Sequence, residues 1–202
     1  MPREGLRQRV LGLPRAYELF QSLVGAPRSK AHFVTDHVRA IPGDRILDLG
    51  CGTGAMLKLR PSGITYVGVD VDPGYIDRAK TKFDRGTFVC ADITRYEPPS
   101  EFDAVIAYGV LHHLDDDGTR AALGAARRAL AADGRALFAE PCRTDEQGWF
   151  EKTIMNLDRG RHIRTAARYV ELMKERFAGA STDEATAGYR IPYTLVIFRA
   201  TI

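Results

Sequence analysis

The chain is poor in cysteine and has no long apolar run, and each absence excludes a class of protein. Its cysteines are Cys51, Cys90 and Cys142. Their odd number and the lack of a C-x-x-C spacing argue against a disulfide framework or a zinc ribbon. No stretch approaches the roughly 18 apolar residues of a membrane span. Because Met1–Gly5 also lacks an apolar signal core, we expect a cytoplasmic protein with no membrane partner.

The charge is nearly balanced, which argues against a nucleic-acid partner. The chain has 29 basic and 26 acidic side chains, for a net charge of +3. That excess is too small to indicate binding to a phosphate backbone. The 202 residues can bury one substantial core and leave little for a second. We therefore expect one domain spanning residues 1–202.

The most informative segment is 46–54, Ile-Leu-Asp-Leu-Gly-Cys-Gly-Thr-Gly. Glycines at positions 50, 52 and 54 follow an apolar β-type run, a pattern typical of a nucleotide-binding loop because glycine permits positive φ and close ligand approach. Tight strand-to-helix turns also use glycine for structural reasons alone. Asp48 suits a ligand that carries a cation better than it suits a pyrophosphate. The segment thus predicts a nucleoside-like, positively charged ligand.

The next two strands also end in acids. Ile64–Val69 is followed by Asp70, about 20 residues after the first glycine, the spacing at which a βαβ unit places an acid on ribose hydroxyls. The alternative role of helix cap fits Asp72 better, since proline follows it. A third strand over 86–91 is followed by Asp92 and Ile93, an acceptor for an adenine amine beside an apolar surface for the ring. An ordinary loop acid is the alternative for Asp92.

Strands and helices then alternate as in a parallel sheet. We expect Asp133-Gly134 to turn into a fifth strand over Arg135–Glu140 and Thr165 to cap a helix over 165–177. Strands near 180–187 and over 193–200 would pair as a hairpin across 189–192. Four segments taken in order resemble the motifs of class I S-adenosylmethionine-dependent methyltransferases: Asp48–Gly54, Val67–Asp70, Cys90–Ile93 and Phe102–Leu114. The resemblance spans residues 45–141. It implies an α/β fold: a doubly wound, seven-stranded, mostly parallel sheet with an antiparallel last strand, Rossmann-like. It also implies S-adenosylmethionine (SAM) as cofactor and methyl transfer as the activity.

The resemblance further implies which residues contact SAM. The residues expected to bind it follow strands one to four: Asp48, Gly50, Cys51, Gly52, Gly54, Asp70, Val71, Asp92, Ile93 and Tyr108. Within the single domain, residues 1–42 would form N-terminal helices, 43–141 the SAM-binding core, and 142–202 the substrate-side helices and a closing hairpin. In this scheme Pro14–Val24 is a helix whose apolar stripe belongs to the core or closes over the pocket as a lid, and Tyr17 on it is a candidate substrate contact.

The segments after strands four and five bear on the methyl acceptor. Tyr108-Gly-Val stands where amino methyltransferases carry Asn/Asp-Pro-Pro-Tyr, which disfavours N-methylation. Cys142 lacks the partner Pro-Cys of RNA cytosine methyltransferases, which argues against covalent catalysis. We therefore expect O- or C-methylation of a small molecule. His112 or His113 is the candidate general base, or else forms part of the pocket wall.

A basic loop predicts an acidic acceptor. Arg159, Arg161 and Arg164 carry forked guanidinium groups suited to carboxylate or phosphate, and Trp149 would supply an apolar wall. A solvated basic loop is the alternative. The acids at 115–117 could hold a hard cation, but they also suit the first turn of a helix, so we predict no metal.

Two other functions fit the glycine loop. A nicotinamide oxidoreductase would use Gly50-x-Gly52-x-x-Ala55, with Asp70 on the ribose. Asp48, the Asp92–Ile93 pair and the lack of room for a separate substrate domain argue against it. A SAM-binding regulatory protein without catalysis would keep the same motifs. The sequence predicts no oligomeric state.

Overall fold

The computed structural model describes residues 26–157, 160–185 and 193–202. Its helices are α1 (Ala26–His32, continued by a π-helical segment, Phe33–Val38), α2 (Ala55–Lys58), α3 (Pro73–Lys82), α4 (Asp116–Ala129), α5 (Trp149–Leu157) and α6 (Ala166–Lys174). A 3₁₀ turn covers Leu111–His113. The strands are β1 (Arg45–Leu49), β2 (Thr65–Asp70), β3 (Thr87–Cys90), β4 (Phe102–Tyr108), β5 (Leu130–Pro141), β6 (Gly179–Ala185) and β7 (Leu195–Thr201).

All seven strands form one sheet in the order β3-β2-β1-β4-β5-β7-β6. Strands β1 to β5 pair in parallel, and β7 lies antiparallel to both β5 and β6. The α/β class, the seven strands and the antiparallel last strand confirm the predicted fold. Because the carboxyl ends of parallel strands share one edge, the segments after β1 to β4 meet there.

Apolar clusters cover both faces of the sheet. Leu47 and Leu49 pack with Leu123 of α4 on one face, whereas Ile46 packs with Phe33 on the other. A strand buried on both faces needs a continuous apolar run, as β1 has. Among the described residues, no helix is long and apolar enough to cross a membrane.

Side-chain caps begin the helices at the expected positions. The Asp72 carboxylate accepts from the backbone N–H groups of Gly74 at 2.8 Å and Tyr75 at 3.2 Å, with Pro73 at the first helical position. Thr165 caps α6 by accepting from the Arg168 N–H. These local bonds confirm that Asp72, rather than Asp70, caps α3.

Several predicted boundaries were wrong or fall outside the described residues. Asp133-Gly134 was expected to turn into a strand beginning at Arg135, but β5 begins at Leu130 and absorbs the dipeptide at a register shift against β4. The pairing of β6 with β7 is confirmed. Their expected connection at 189–192 and the helix at 14–24 lie outside the described residues.

Candidate functional site at the carboxyl edge of the sheet

The glycine loop is pinned to the neighbouring strand. The Gly50 and Cys51 N–H groups both donate to the Val69 carbonyl of β2, at 2.7 and 3.0 Å. Gly50, Gly52 and Gly54 have φ of 74°, 53° and 72°. This left-handed conformation strains residues with a Cβ, so the backbone explains all three glycines.

Only one of the three glycines faces open space. A Cβ on Gly50 would collide with the Val110 side chain, and one on Gly54 would lie 2.8 Å from the Phe88 ring. A Cβ on Gly52 would meet no atom within 4 Å. Crowding by protein atoms is thus a second structural reason for glycine at positions 50 and 54, whereas Gly52 leaves room for a ligand against its backbone. The side chain of Cys51 is buried, so only its backbone faces the loop surface.

Asp70 lies directly beside Gly52. One carboxylate oxygen accepts from the Gly52 N–H at 2.8 Å, and the other accepts from the Asp72 N–H at 2.9 Å. The carboxylate is half-buried, and each oxygen retains acceptor capacity for a further donor. Val71, which follows, is 69% exposed. A fixed carboxylate and an exposed apolar side chain are therefore adjacent at the end of β2.

At the end of β3, the two residues predicted to face the adenine lie in different surroundings. Asp92 is exposed, and one of its oxygens accepts from the backbone N–H and the hydroxyl of Thr94 at 2.9 and 2.8 Å. These bonds lower the carboxyl pKa. The Ile93 side chain is buried in the core next to β4. The structure thus places Asp92 at the surface and turns Ile93 away from it.

Asp48 differs most from its predicted surroundings. It is 1% exposed and accepts from the Tyr66 hydroxyl at 2.5 Å. Burial raises its pKa to about 6, against the opposing effects of the Tyr66 bond and of the nearby cations of Arg60 and Lys30. The carboxylate therefore lies beneath the glycine loop, in contact with protein groups.

Helix α1 contributes two polar residues that sequence reasoning missed. Tyr108, at the end of β4, donates its hydroxyl to Ser29 Oγ at 2.7 Å. The Lys30 ammonium lies 5.5 Å from the Tyr108 ring centroid. Nothing in the local pattern of α1 marks these positions, because their importance depends on where the helix docks.

Glu140, also missed, organises the turn after β4. This fully buried carboxylate accepts from the N–H groups of Val110 and Leu111 at 2.9 and 2.8 Å and lies 2.8 Å from His112 Nδ1. An acid inside the apolar run of β5 was the available signal. His112 is 3% exposed, and Gly160 packs directly on its ring, whereas His113 is exposed. Of these two histidines, His113 has the surface access.

Arg164 also joins this turn. Its side chain is 8% exposed, with Nε donating to Asp116 at 2.8 Å, Nη1 to the Leu111 carbonyl at 3.2 Å and Nη2 to the Leu114 carbonyl at 2.8 Å. These acceptors occupy the guanidinium, so the geometry supports a structural role rather than the predicted contact with an acidic acceptor.

The remaining predicted substrate residues are dispersed. Arg161 is exposed, and Trp149 is largely exposed at the start of α5 with its ring 5.9 Å from that of Phe150. Arg159 and Tyr17 lie outside the described residues.

The three consecutive acids serve the start of α4. Asp115 accepts from the Gly118 N–H at 2.8 Å, Asp116 contacts Arg164 and Arg168, and Asp117 contacts Arg120. The bond with Arg168, followed by that with Arg164, lowers the Asp116 pKa. Within the part of the chain that the structure describes, no group of three His, Cys, Asp or Glu residues could hold a metal ion.

Known proteins share the sequence of this core. Residues 46–134 match the family model of the methyltransferase domain. An uncharacterized methyltransferase of Mycobacterium bovis is 40% identical over 82 residues, 39% of this chain and 41% of that protein. A ubiquinone biosynthesis O-methyltransferase of Bradyrhizobium is 33% identical over 86 residues, 40% of this chain and 34% of that protein. The chain therefore covers less than half the length of either relative.

Solved structures share the whole fold. The crystal structure of a TehB-like SAM-dependent methyltransferase from Corynebacterium glutamicum has a TM-score of 0.65 to this chain. The match covers 93% of this chain and 96% of that chain at 24% identity. At this identity the likeness shows the fold.

Proposed function

We propose that this chain, which belongs through residues 46–134 to the methyltransferase domain family and has the class I SAM-dependent methyltransferase fold, binds SAM and transfers its methyl group to a small molecule. One observation carries the proposal. The open backbone of Gly52 and the fixed carboxylate of Asp70 lie side by side where β1 and β2 end.

The residues at this edge fit the cofactor. The space beside the Gly52 backbone, where a Cβ would stand, is open in the structure. The amino-acid part of SAM would lie there against the backbone. Asp70 would accept from the ribose hydroxyls, with Val71 as apolar surface. Asp92, held by Thr94, would face the adenine amine. Asp48 lies beneath the loop, so its carboxylate would attract the cationic end of the ligand without contacting it.

The chemistry requires little from side chains. When bound, SAM supplies a methyl group already activated by its sulfonium. The protein's part is to hold the acceptor in line and exclude water, and such positioning can lower a barrier by roughly 7 to 11 kcal/mol. His113, exposed beside the turn that Glu140 organises, is the group able to take a proton from an acceptor hydroxyl. His112 forms the wall behind it.

We propose oxygen or carbon as the methylated atom. Tyr108-Gly109-Val110 gives no Asn/Asp-Pro-Pro-Tyr signature, and the Bradyrhizobium relative is named an O-methyltransferase. The proposal of an acidic acceptor depends on Arg159 and Arg161, because the Arg164 guanidinium is occupied by protein acceptors. Trp149 would provide the apolar contact.

Calorimetry with SAM and with NAD tests the cofactor. We expect saturable binding of SAM at one site per chain and no binding of NAD. The reverse result would favour an oxidoreductase and refute the proposal. Methyl turnover is then measured against a panel of hydroxylated and carboxylated metabolites. Tight SAM binding with no turnover on any acceptor would indicate a regulatory SAM-binding protein.

A further inference from the structure

A concave surface lies on the outer face of α4. It is a cleft of about 430 Å³ between the segment after β3, near Thr94, and the end of α6. Four arginines line it: Arg120, Arg127, Arg128 and Arg176. We call it the arginine cleft. None of its lining residues is acidic, and none is a predicted cofactor or acceptor residue.

Its floor brings guanidinium groups from two helical segments together. Gly124 and Ala121 form the floor, and a Cβ on Gly124 would lie 3.5 Å from Arg128 Nη1 and 3.8 Å from Arg176 Nε. Arg128 lies in the last turn of α4, whereas Arg176 follows α6. The two guanidinium cations therefore lie beside one glycine, where they repel each other unless an anion lies between them.

Protein carboxylates neutralise only part of this charge. Arg120 donates to Asp117 and Glu175, both at 2.9 Å. Arg176 has one long contact, 3.5 Å to the Glu175 carbonyl. Among the described residues, Arg127 and Arg128 have no carboxylate within ion-pair distance. Three of the four guanidinium groups are thus available to a ligand.

The helix dipole accounts for part of this placement of arginines without any ligand. Basic residues in the last turn of a helix interact favourably with its dipole, which accounts for Arg127 and Arg128 individually. It does not account for Arg176, which comes from another segment and points at the same floor. Forked guanidinium groups match the oxygens of phosphate in geometry and charge.

We propose that the arginine cleft binds a phosphate-bearing small anion, at a site separate from the SAM pocket and independent of methyl transfer. The ligand lies over Gly124, with Arg128 and Arg176 donating to its oxygens and Arg127 at the rim. Arg120, held by Glu175, keeps the end of α6 against α4 and fixes the width of the cleft.

Calorimetry of the full chain with pyrophosphate tests the site. Arg128→Gln and Arg176→Gln should each weaken binding about fivefold or more, the loss of one partly exposed charged contact. Arg78→Gln, the same charge change on exposed α3, should leave the affinity unchanged. SAM binding should be equal in all three variants.

Gly124→Glu provides a second test. Gly124 has an ordinary helical φ and space for a Cβ, so a glutamate there should fold and place a carboxylate between the two guanidinium groups. We expect it to abolish pyrophosphate binding and raise the thermal midpoint. The proposal is overturned if the wild type does not bind pyrophosphate at about 10 mM, because any binding free energy would then be weaker than about −2.7 kcal/mol. The proposal is also overturned if Arg78→Gln weakens pyrophosphate binding as much as Arg128→Gln and Arg176→Gln do. The same holds if the protein binds single-stranded RNA and does not bind pyrophosphate.

Discussion

The three loop glycines are equivalent in sequence but not in structure. Neighbouring protein atoms leave no room for a Cβ at Gly50 and Gly54, whereas a Cβ at Gly52 would lie in open space. Two constraints act on Gly52, the positive φ and the proposed ligand. They can be separated, because Gly43 has the first without the second: its φ is 100°, and a Cβ there also meets nothing within 4 Å.

Gly52→Val should abolish SAM binding, because the new side chain would fill the space proposed for the ligand. Gly43→Val also forces a β-branched residue to a positive φ, at the opposite edge of the sheet in the turn before β1, with a backbone strain of at least about 1–2 kcal/mol. It should lower stability but keep SAM affinity. Calorimetry on both folded variants measures this. Unchanged affinity in Gly52→Val would remove the loop from the cofactor site.

Asp48 predicts a pH dependence of stability. Its folded pKa, about 6, lies above the ordinary 3.8 because burial disfavours the charged form. The stability from its protonated form is present below pH 3.8 and is lost as the pH rises to about 6. The difference between the two pKa values corresponds to at most about 3 kcal/mol. Asp36, Asp92, Asp103 and Asp116 have lowered pKa values, so their losses occur at lower pH.

Asp48→Asn keeps an acceptor for Tyr66 and cannot ionise. Relative to wild type, its free energy of unfolding should therefore increase between pH 4 and pH 7. Urea denaturation of both proteins across this range measures the difference. Parallel profiles would mean that folding does not raise the Asp48 pKa.

At the level of secondary-structure elements, Arg164 and Arg168 share the Asp116 carboxylate but differ in burial. Arg164 is 8% exposed and also bonds two carbonyls of the turn after β4, whereas Arg168 is 38% exposed. Arg164→Ala should cost about 1.5–3 kcal/mol, the range for hydrogen bonds to charged groups, because it removes the buried donor to the Leu111 and Leu114 carbonyls. Arg168→Ala should cost at most about 1 kcal/mol. Urea denaturation distinguishes them, and equal losses would refute the buried role of Arg164.

The elements also show which sequence signals were sufficient. The caps Asp72 and Thr165 were predicted because a cap bonds N–H groups two or three residues away. The start of β5 was mispredicted because Leu130 pairs with Phe102 of β4 ahead of the register shift that contains Asp133-Gly134. The roles of Ile93 and Arg164 depend on which neighbour each side chain meets, which spacing along the chain does not report.

For the molecule as a whole, we propose that residues 1–42, 43–141 and 142–202 form one cooperative domain. Both apolar clusters pack on the same sheet, and β7 lies between β5 and β6, which ties the end of the chain to its centre. Urea unfolding followed by far-UV and near-UV circular dichroism should therefore give coincident transitions. SAM at 100 times its dissociation constant should add about 2.7 kcal/mol. An earlier transition confined to the C-terminal part would contradict a single domain.

The order of elements, the glycine loop and the acids ending β2 and β3 follow from local properties of the chain. Apolar period, capping residues and glycine spacing act over a few residues, so they can be read without knowing the fold. The Glu140–His112 contact, the burial of Asp48, the occupied Arg164 guanidinium and the arginine cleft could not be read in this way. Each joins segments distant in sequence, and whether a charge is buried, paired or open to a ligand depends on the groups that docking brings against it.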